Sequence, residues 1–448
     1  MADSPSAASS RGTRQLGLWM ATSLVIGNQI GSGIFLLPAA LAPYQGYAVA
    51  SWVVSAGGTL LLAVTFARLA RRIPHAGGPY VYARAGFGEF AGFFMGWGYW
   101  ISCIATNSAI ASASVSYVSA FWPAVGQSTG LAATVTIGTI WVLTALNASG
   151  VRNGGLMQLV TVVMKLVPLV LIGTLGLFYI QPGAFAFEPP AGETPIGAVN
   201  AAVALTLFAF LGFESAGIPA DNVVDPDRTI PRATVLGTIV TAVVYIASTV
   251  AVMGILSAGT LAGSAAPFAD AGRAIWGGWA GVFMGLGAIV SCVGCLNGWI
   301  LVQGQIPMAM ARDGLFPALF ARTRADGTPA IALVISSGLA TVLLVSSFTG
   351  TLVELYTKTV LLATLTAVVP YLFGAMTELR MALAQGSEPG AGAMPRAMGA
   401  LVIPSGAFLY AMWAVIGAGQ ETVYLGFILL LAGLPVYVWL RRRVPVPA

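Results

Sequence analysis

Three consecutive residues, Gly31, Ser32 and Gly33, combine the chemistry of an anion site with a break in a helix. They lie between Gln15 and Ala67, a stretch without Asp, Glu, Lys or Arg that is long enough for two membrane crossings of about 20 residues each. Each glycine costs roughly 1 kcal/mol against alanine in a helix interior. Backbone groups freed inside a bilayer persist only where they line a cavity or hold a polar ligand. We therefore expect an interrupted helix that forms half of a substrate site.

Such a break would offer donors on one side and acceptors on the other. The N–H groups of Ser32, Gly33 and Ile34 would begin a second half-helix, whose N-terminus attracts a carboxylate, and the Ser32 hydroxyl adds a donor. The carbonyls freed at Asn28 to Ile30, with those near Phe208 to Leu211 in the sixth span, would accept from an ammonium group. Together they would bind the backbone of an α-amino acid. The alternative is that the glycines only allow close helix packing.

Two ionisable side chains fall deep inside predicted membrane spans. A carboxylate such as Glu214, in the sixth span, costs several kcal/mol there unless it is paired, hydrated or protonated. We expect Glu214 to take up a proton or to stabilise a gate, and a purely structural, hydrogen-bonded carboxyl is the alternative. Lys165, in the fifth span, either stands where a coupling cation would sit or extends its ammonium group to the interface.

The third and eighth predicted spans supply further polar or aromatic groups. Tyr99, Cys103 and Asn107 repeat every four residues, so they share one helix face that suits the distal end of a substrate. The alternative for Asn107 is a hydrogen bond to a neighbouring helix. Trp299 is far from either predicted interface, so an aromatic belt does not explain it. An indole at this depth can cap a site or accept a cation on its face.

The elements that must position these residues are membrane-spanning helices. The chain has 448 residues, of which 57% are hydrophobic and 8% charged, against about 25% charged in a soluble domain. At roughly 30 to 37 residues per span with its connection, this length predicts about 12 helices in an all-α membrane protein. We expect a disordered cytoplasmic tail over 1–14, a transporter core over 15–380 and a peripheral hairpin of helices 11 and 12 over 395–441.

The distribution of charge predicts orientation rather than a nucleic-acid partner, although the net charge is +5. Most arginines fall in alternate connections, the positive-inside pattern, which predicts that both termini are cytoplasmic. The three cysteines, Cys103, Cys292 and Cys295, lie in apolar spans and imply no disulfide framework. We expect no cofactor, and no metal site because the chain has a single histidine. We also expect no enzymatic activity, because no set of nucleophile, base and oxyanion donor is present.

Four separated motifs resemble the amino acid–polyamine–organocation superfamily, and within it the basic amino acid/polyamine antiporters. They are Gly27 to Pro38, Gly77-Gly78-Pro79-Tyr80, the sixth span through Asp225 to Pro231, and Asp313 to Pro317. The resemblance covers roughly residues 15–380. It implies 12 spans, a five-plus-five inverted repeat (about 15–180 and 196–380) with helices 1 and 6 broken, alternating access, and a homodimer.

The resemblance also implies roles for individual residues. Ser32 and Gly33 match carboxylate-binding positions, Asn107 matches the amide that contacts a guanidinium group, and Trp299 matches a middle gate. Residues that match an inner gate are Tyr99, Glu214 and Tyr371. Two positions depart from the family pattern, because Phe208 stands in place of a tryptophan that stacks on the cationic head and Ala363 replaces a serine contact. Lys165 resembles the lysine of neutral amino acid carriers of the same superfamily.

We therefore expect a secondary transporter of the inner membrane that exchanges a basic amino acid for its decarboxylated amine, as in arginine/agmatine exchange. A proton-coupled or exchanging neutral amino acid permease is the alternative within the superfamily. A channel or a membrane sensor is the alternative of another class. A channel needs a continuous polar path, whereas the polar groups here cluster at one depth.

Overall fold

The described chain is built from helices. The computed structural model describes residues 16–75, 77–218, 220, 223–347, 351–386 and 394–442, without the side chains of 151–160 and 385–399. Within these residues the regular elements are α-helices and short 3-10 helices, with no β-strand. The tail predicted over 1–14 lies outside the described residues.

The α-helices are numbered here in chain order. They are α1 (Leu18–Gln29), α2 (Ser32–Leu41), α3 (Gln45–Arg72), α4 (Pro79–Phe87), α5 (Glu89–Ser119), α6 (Pro123–Gln127), α7 (Thr129–Ala148), α8 (Val151–Leu175), α9 (Pro195–Ala209), α10 (Pro226–Ile255), α11 (Ala258–Ala262), α12 (Pro267–Trp276), α13 (Gly278–Arg312), α14 (Ala330–Ser347), α15 (Leu352–Gly386), α16 (Met394–Gly417), α17 (Gln420–Leu431) and α18 (Gly433–Arg441).

Eleven helical stretches in the described part of the chain are long and apolar enough to cross a membrane. The first of them, Leu18–Arg72, has 55 residues, and a 3-10 helix at Ala42–Tyr44 divides it into α1–α2 and α3. One crossing needs about 20 residues, so this stretch is long enough for two crossings. The all-α membrane class predicted from composition is confirmed.

Helix α5 lies at the centre of the bundle, since 89% of its most apolar window is buried. Small side chains let neighbouring helices approach it closely, and the hydroxyl of Ser102, for example, donates to the Ala363 carbonyl of α15. In contrast, α17 and α18 lie at the periphery, where only 17% of the corresponding window is buried. The expected last span is thus present as two helices that meet at Ala432.

Ion pairs join several helix ends at one boundary of the bundle. Arg84 of α4 contacts Asp313, which follows α13, at 2.9 Å and Glu89 of α5 at 3.5 Å. Glu89 also contacts Arg441 of α18. On α3, Arg72 pairs with the buried Glu378 of α15 at 3.2 Å. Ion pairs thus cluster at this boundary, and the helices between it and the opposite boundary hold the candidate site.

Candidate functional site

The first membrane span is interrupted where the glycine pattern predicts. Helix α1 ends at Gln29 and α2 begins at Ser32, with Ile30 and Gly31 between them. A Cβ atom on Gly31 would lie 2.4 Å from the Cys295 sulfur of α13, a distance that real Cβ contacts essentially never show. The glycine is therefore required by the close approach of α13 to the break.

The sixth span is interrupted at the same place in the bundle. Helix α9 ends at Ala209, Gly212 has a φ of +101°, a conformation that glycine adopts readily, and a 3-10 helix follows from Phe213. The two breaks are bonded to each other, because the Gln29 amide donates to the Phe210 carbonyl at 3.1 Å. The Tyr245 hydroxyl of α10 lies within hydrogen-bonding distance of both the Gln29 and the Ala209 carbonyl oxygens, at 2.5 and 3.1 Å.

The N-terminus of α2 presents the donors expected for an anion. Ser32 is 1% exposed, and its hydroxyl has no hydrogen-bond partner among the described residues. Its carbonyl, by contrast, accepts from the Tyr356 hydroxyl at 3.2 Å. Leaving a buried hydroxyl unpaired costs about 1–3 kcal/mol. A ligand with acceptor atoms, such as a carboxylate, would remove that cost and complete the helix terminus.

The carbonyls expected to accept from an ammonium group are engaged by protein donors in this structure. The Asn28 carbonyl accepts from the Trp299 indole at 2.9 Å and the Cys295 thiol at 3.2 Å, while the Gln29 carbonyl accepts from Tyr245. A ligand amine must displace these donors, or use the second lone pair where one is left over. The site is therefore closed on its acceptor side.

Lys165 of α8 is fully buried and does not extend to an interface. Its ammonium group donates to the carbonyl oxygens of Gly27 and Ile30, both at 2.7 Å. The Ile30 carbonyl also accepts from Ser291 of α13 at 3.4 Å. The side chain thus places a cationic group directly on the backbone break rather than at an interface.

Glu214 lies in the 3-10 helix after the second break and is 4% exposed. Its Oε1 atom accepts from the hydroxyls of Tyr99 at 2.5 Å and Tyr371 at 2.7 Å, and its Oε2 atom accepts from the Gly212 amide at 3.2 Å. All three partners are donors, so this geometry suits an ionised, acceptor-only carboxylate. The cluster links α5, α15 and the second break.

A small cavity lies between the two breaks and the faces of α5 and α13. Its volume is about 10 Å3, which holds about one water molecule. The lining comprises Asn28, Gln29, Ser32, Gly33, Thr106, Ile110, Phe208, Ala209, Leu211, Cys295 and Trp299. No charged side chain is among these lining residues. The structure is therefore an occluded arrangement, and an amino acid would require the surrounding helices to separate.

Six of the expected substrate contacts line this cavity, namely Asn28, Ser32, Gly33, Phe208, Leu211 and Trp299. Ile30, Cys103, Asn107 and Ala363 do not line it. Asn107 donates through Nδ2 to Gln303 of α13 at 2.7 Å, which is the helix-to-helix contact named as its alternative, and its Oδ1 atom has no partner among the described residues. On this part of α5 the cavity is lined by Thr106, the residue before Asn107.

The residues that were missed include Gln29 and Thr106. Each lines the cavity and has one buried oxygen, Gln29 Oε1 and Thr106 Oγ1, without a partner in the described part of the chain. Gln29 carried a signal, since a polar Asn-Gln pair in an apolar run adjoins the break. Thr106 carried none, because its orientation depends on how α5 is rotated against α13.

Comparisons with known proteins identify a family and several similar transport proteins. The sequence model of the family described as Amino acid permease matches residues 16–443. A Bacillus subtilis protein assigned as an arginine/ornithine antiporter is 34% identical over 400 residues, 83% of this chain and 85% of that protein. The cadaverine/lysine antiporter of Escherichia coli is 32% identical, with 82% and 84% covered. The putrescine transporter PotE of Haemophilus influenzae is 30% identical, with 95% and 97% covered.

Proposed function

The chain belongs to the amino acid permease family, and we propose that it is a secondary transporter that exchanges amino acids and amines across the inner membrane. The observation that carries this proposal is the meeting of two backbone breaks at one buried cavity. Backbone groups freed at that depth need polar partners. Here they form a donor side and an acceptor side that together match a zwitterion.

Substrate binding uses the two ends of the first break. The amides at the start of α2 and the Ser32 hydroxyl hold the carboxylate, next to Gly33. The carbonyls of Asn28 and Ile30, with those near Leu211, hold the ammonium group. The unpaired Ser32 hydroxyl supports the first assignment. The donors already present on the Asn28 carbonyl support a binding step in which Trp299 and Cys295 give way to the ligand.

Transport proceeds by alternating access, in which each substrate in turn binds between the breaks and a rigid-body movement changes the exposed side. The small occluded cavity supports this, since neither a substrate nor a column of water fits as it stands. Trp299 forms the middle gate. Glu214, Tyr99 and Tyr371 form the inner gate, and the two hydroxyls on one carboxylate oxygen support that role. Protonation of Glu214 would turn an acceptor into a donor and loosen the gate.

The proposed substrates are a basic amino acid and its decarboxylated amine, such as arginine and agmatine. The named relatives act on arginine and ornithine, cadaverine and lysine, or putrescine. A cationic head would meet the faces of Phe208 and Trp299 and the unpaired oxygens of Gln29 and Thr106. Asn107 remains a proposed contact through its unpaired Oδ1 atom, and Cys103 and Ala363 would join the site when it opens.

A neutral amino acid permease, coupled to protons or working by exchange, is the second candidate. The observation that favours it is Lys165, whose buried cation already occupies the break, together with a cavity lining that contains no carboxylate. Without such a group, a second positive charge from a basic substrate has only neutral acceptors and aromatic faces to bind it.

The proposed organisation is a core of two inverted five-span repeats over 15–180 and 196–380, with a peripheral hairpin over 395–441. The arginine distribution supports cytoplasmic termini, and the exposed apolar helices α16 to α18 leave room for a homodimer or for lipid. The low burial of α17 and α18 supports their peripheral position, whereas α16 packs on the core, where the Trp413 indole donates to Asn200 of α9.

Proteoliposomes test the proposal directly. Uptake of labelled arginine should require agmatine or another substrate inside the vesicles, should saturate, and should carry no current in the absence of counter-substrate. Uptake into empty vesicles driven only by a pH gradient would overturn antiport and favour the proton-coupled permease. A current without saturable counterflow would favour a channel.

A further inference from the structure

A second, larger cavity lies where α3 ends and α10 begins. It is a groove of about 560 Å3, within the range of roughly 300–1,000 Å3 typical of small-molecule sites. Helices α1, α3 and α10 form its wall, and three arginines, Arg68, Arg71 and Arg232, are part of the lining. The groove shares no lining residue with the cavity between the helix breaks.

The lining of the groove changes from charged to aliphatic with depth. Helix α3 runs toward the boundary and ends at Arg72, whereas α10 starts near the boundary at Pro226. At 1.5 Å per residue, Val64 lies about 10 Å deeper than Arg71, and Ile239 lies about 10 Å deeper than Arg232. The guanidinium groups therefore share one level near the boundary, and aliphatic side chains from both helices continue toward the bilayer interior.

The arginines carry more positive charge than the neighbouring protein offsets. The buried Glu378 contacts Arg72 at 3.2 Å and also attracts Arg68 electrostatically. The side chains of Arg71 and Arg232 are exposed, and neither forms an ion pair within the part of the chain that the structure describes. The groove therefore has an excess of cationic groups at its boundary end.

The surface beside the groove faces lipid rather than water. Trp19 is 74% exposed and Val243 is 63% exposed on the helices that border it. An exposed tryptophan near the end of a span is typical of the membrane–water interface. A ligand in the groove would thus have its polar part at the interface and its apolar part in the hydrocarbon region.

We propose that this groove binds an anionic phospholipid of the surrounding bilayer. Its phosphate would lie among Arg68, Arg71 and Arg232, because guanidinium groups pair well with phosphate oxygens. Its acyl chains would lie along Val64 and Ile239. Basic pockets between membrane helices bind cardiolipin-like head groups in this way. A zwitterionic lipid also carries an ammonium group, which the arginines repel, so the groove selects for net negative charge.

Lipid in the groove would also affect the substrate site. Leu18, in the lining, begins α1, and the other end of α1 is the first backbone break. A lipid that contacts α1, α3 and α10 together stabilises their present arrangement. The occluded form would then be favoured in membranes rich in anionic lipid.

The test is lipid binding to the purified full-length protein, measured by native mass spectrometry with cardiolipin and with phosphatidylethanolamine. The double variant Arg71→Gln/Arg232→Gln removes two charges from the groove. Arg312→Gln/Arg322→Gln removes two charges from exposed positions outside it and is the matched control. Leu236→Trp fills the aliphatic part while retaining the arginines.

Each arginine near a membrane surface contributes roughly a fivefold gain in affinity, so the groove variant should bind cardiolipin about 25-fold more weakly. The control should remain within about twofold of the parent, and Leu236→Trp should lose binding despite its unchanged charge. Cardiolipin binding by the groove variant equal to that by the parent, or phosphatidylethanolamine binding by the parent equal to its cardiolipin binding, would overturn the proposal.

Thermal unfolding with inorganic phosphate is a second experiment. Stabilisation by phosphate equal to that by cardiolipin would identify an anion site without lipid recognition. Unfolding without lipid shows that each variant is folded, and if the double variant is not, Arg71→Gln alone should show the fivefold loss.

Discussion

The Nζ atom of Lys165 lies 2.7 Å from the carbonyl oxygen of Ile30, the last residue before the glycine at the first break. The same atom donates to the Gly27 carbonyl at 2.7 Å, so one cation holds both ends of the last turn of α1. A break in a membrane helix frees carbonyls that lipid cannot satisfy. The lysine therefore supplies hydrogen-bond donors in place of the backbone N–H groups that a continuous helix would provide.

Replacing Lys165 by methionine should therefore impair transport. Hydrogen bonds to charged groups contribute about 1.5–3 kcal/mol, so we expect the initial rate of arginine counterflow to fall at least about tenfold. The matched control is Lys358→Met, because the chain's other lysine is exposed on α15. Full exchange by the Lys165 variant would show that the other donors suffice to hold the break.

Glu214→Gln should remove the pH dependence of exchange. Three donors converge on the carboxylate. Because an amide does not ionise, the charge at this gate would no longer change with pH. Below the pH at which the parent carboxyl is protonated, the variant and the parent should transport at similar rates. Exchange rates measured from pH 5 to pH 8 check this, with the exposed Glu421→Gln as control. A variant that retains the parent's pH profile would assign the titration to another group.

Thr106→Val and Asn107→Ala separate a cavity contact from a helix contact. Thr106 has an unpaired hydroxyl in the cavity, so its loss should raise KM for arginine roughly two- to tenfold, the effect of one buried hydrogen bond. KM for alanine should change little, and Thr106→Ser should restore the parent value.

Asn107→Ala should also raise KM for arginine more than for alanine if its unpaired oxygen meets the substrate. Equal increases for both substrates would mean that Asn107 only joins α5 to α13 through Gln303.

Gly31→Ala should destabilise the closed arrangement by about 1–3 kcal/mol, as overpacking does. The added Cβ would lie 2.4 Å from the sulfur and 2.6 Å from the Cβ atom of Cys295. The double variant with Cys295→Gly removes both atoms and should recover much of the melting temperature and of the exchange rate.

Gly33→Ala provides the contrasting case. Its Cβ would lie 2.8 Å from the Cα atom of Ala209, which is backbone and cannot be trimmed away. No substitution at Ala209 should restore this variant. Recovery of Gly33→Ala by a change at Ala209 would show that α2 and α9 can separate at little cost.

The sequence was sufficient for the features that depend on local chemistry. The absence of charge predicts the spans, and Gly31 predicts the break, because lipid penalises freed backbone regardless of tertiary detail. The family pattern, in turn, pointed to Tyr99 and Tyr371 beside Glu214. The contacts of the freed carbonyls could not be predicted in the same way, because Tyr245 lies 216 residues from Gln29 along the chain. The choice between Thr106 and Asn107 depends on the rotation of α5, which neighbouring helices set.

The Asn28 carbonyl depends on the Trp299 indole, 271 residues further along the chain. At a synthesis rate of about 5–20 residues per second, roughly 15 to 50 s pass between the emergence of the acceptor and that of its donor. During this interval the first span is already apolar enough to enter the bilayer, while the Trp299 indole and the Cys295 thiol, which donate to this carbonyl in the folded protein, have not yet been synthesised. The hydrogen bonds that close the first break thus cannot form until α13 has been synthesised.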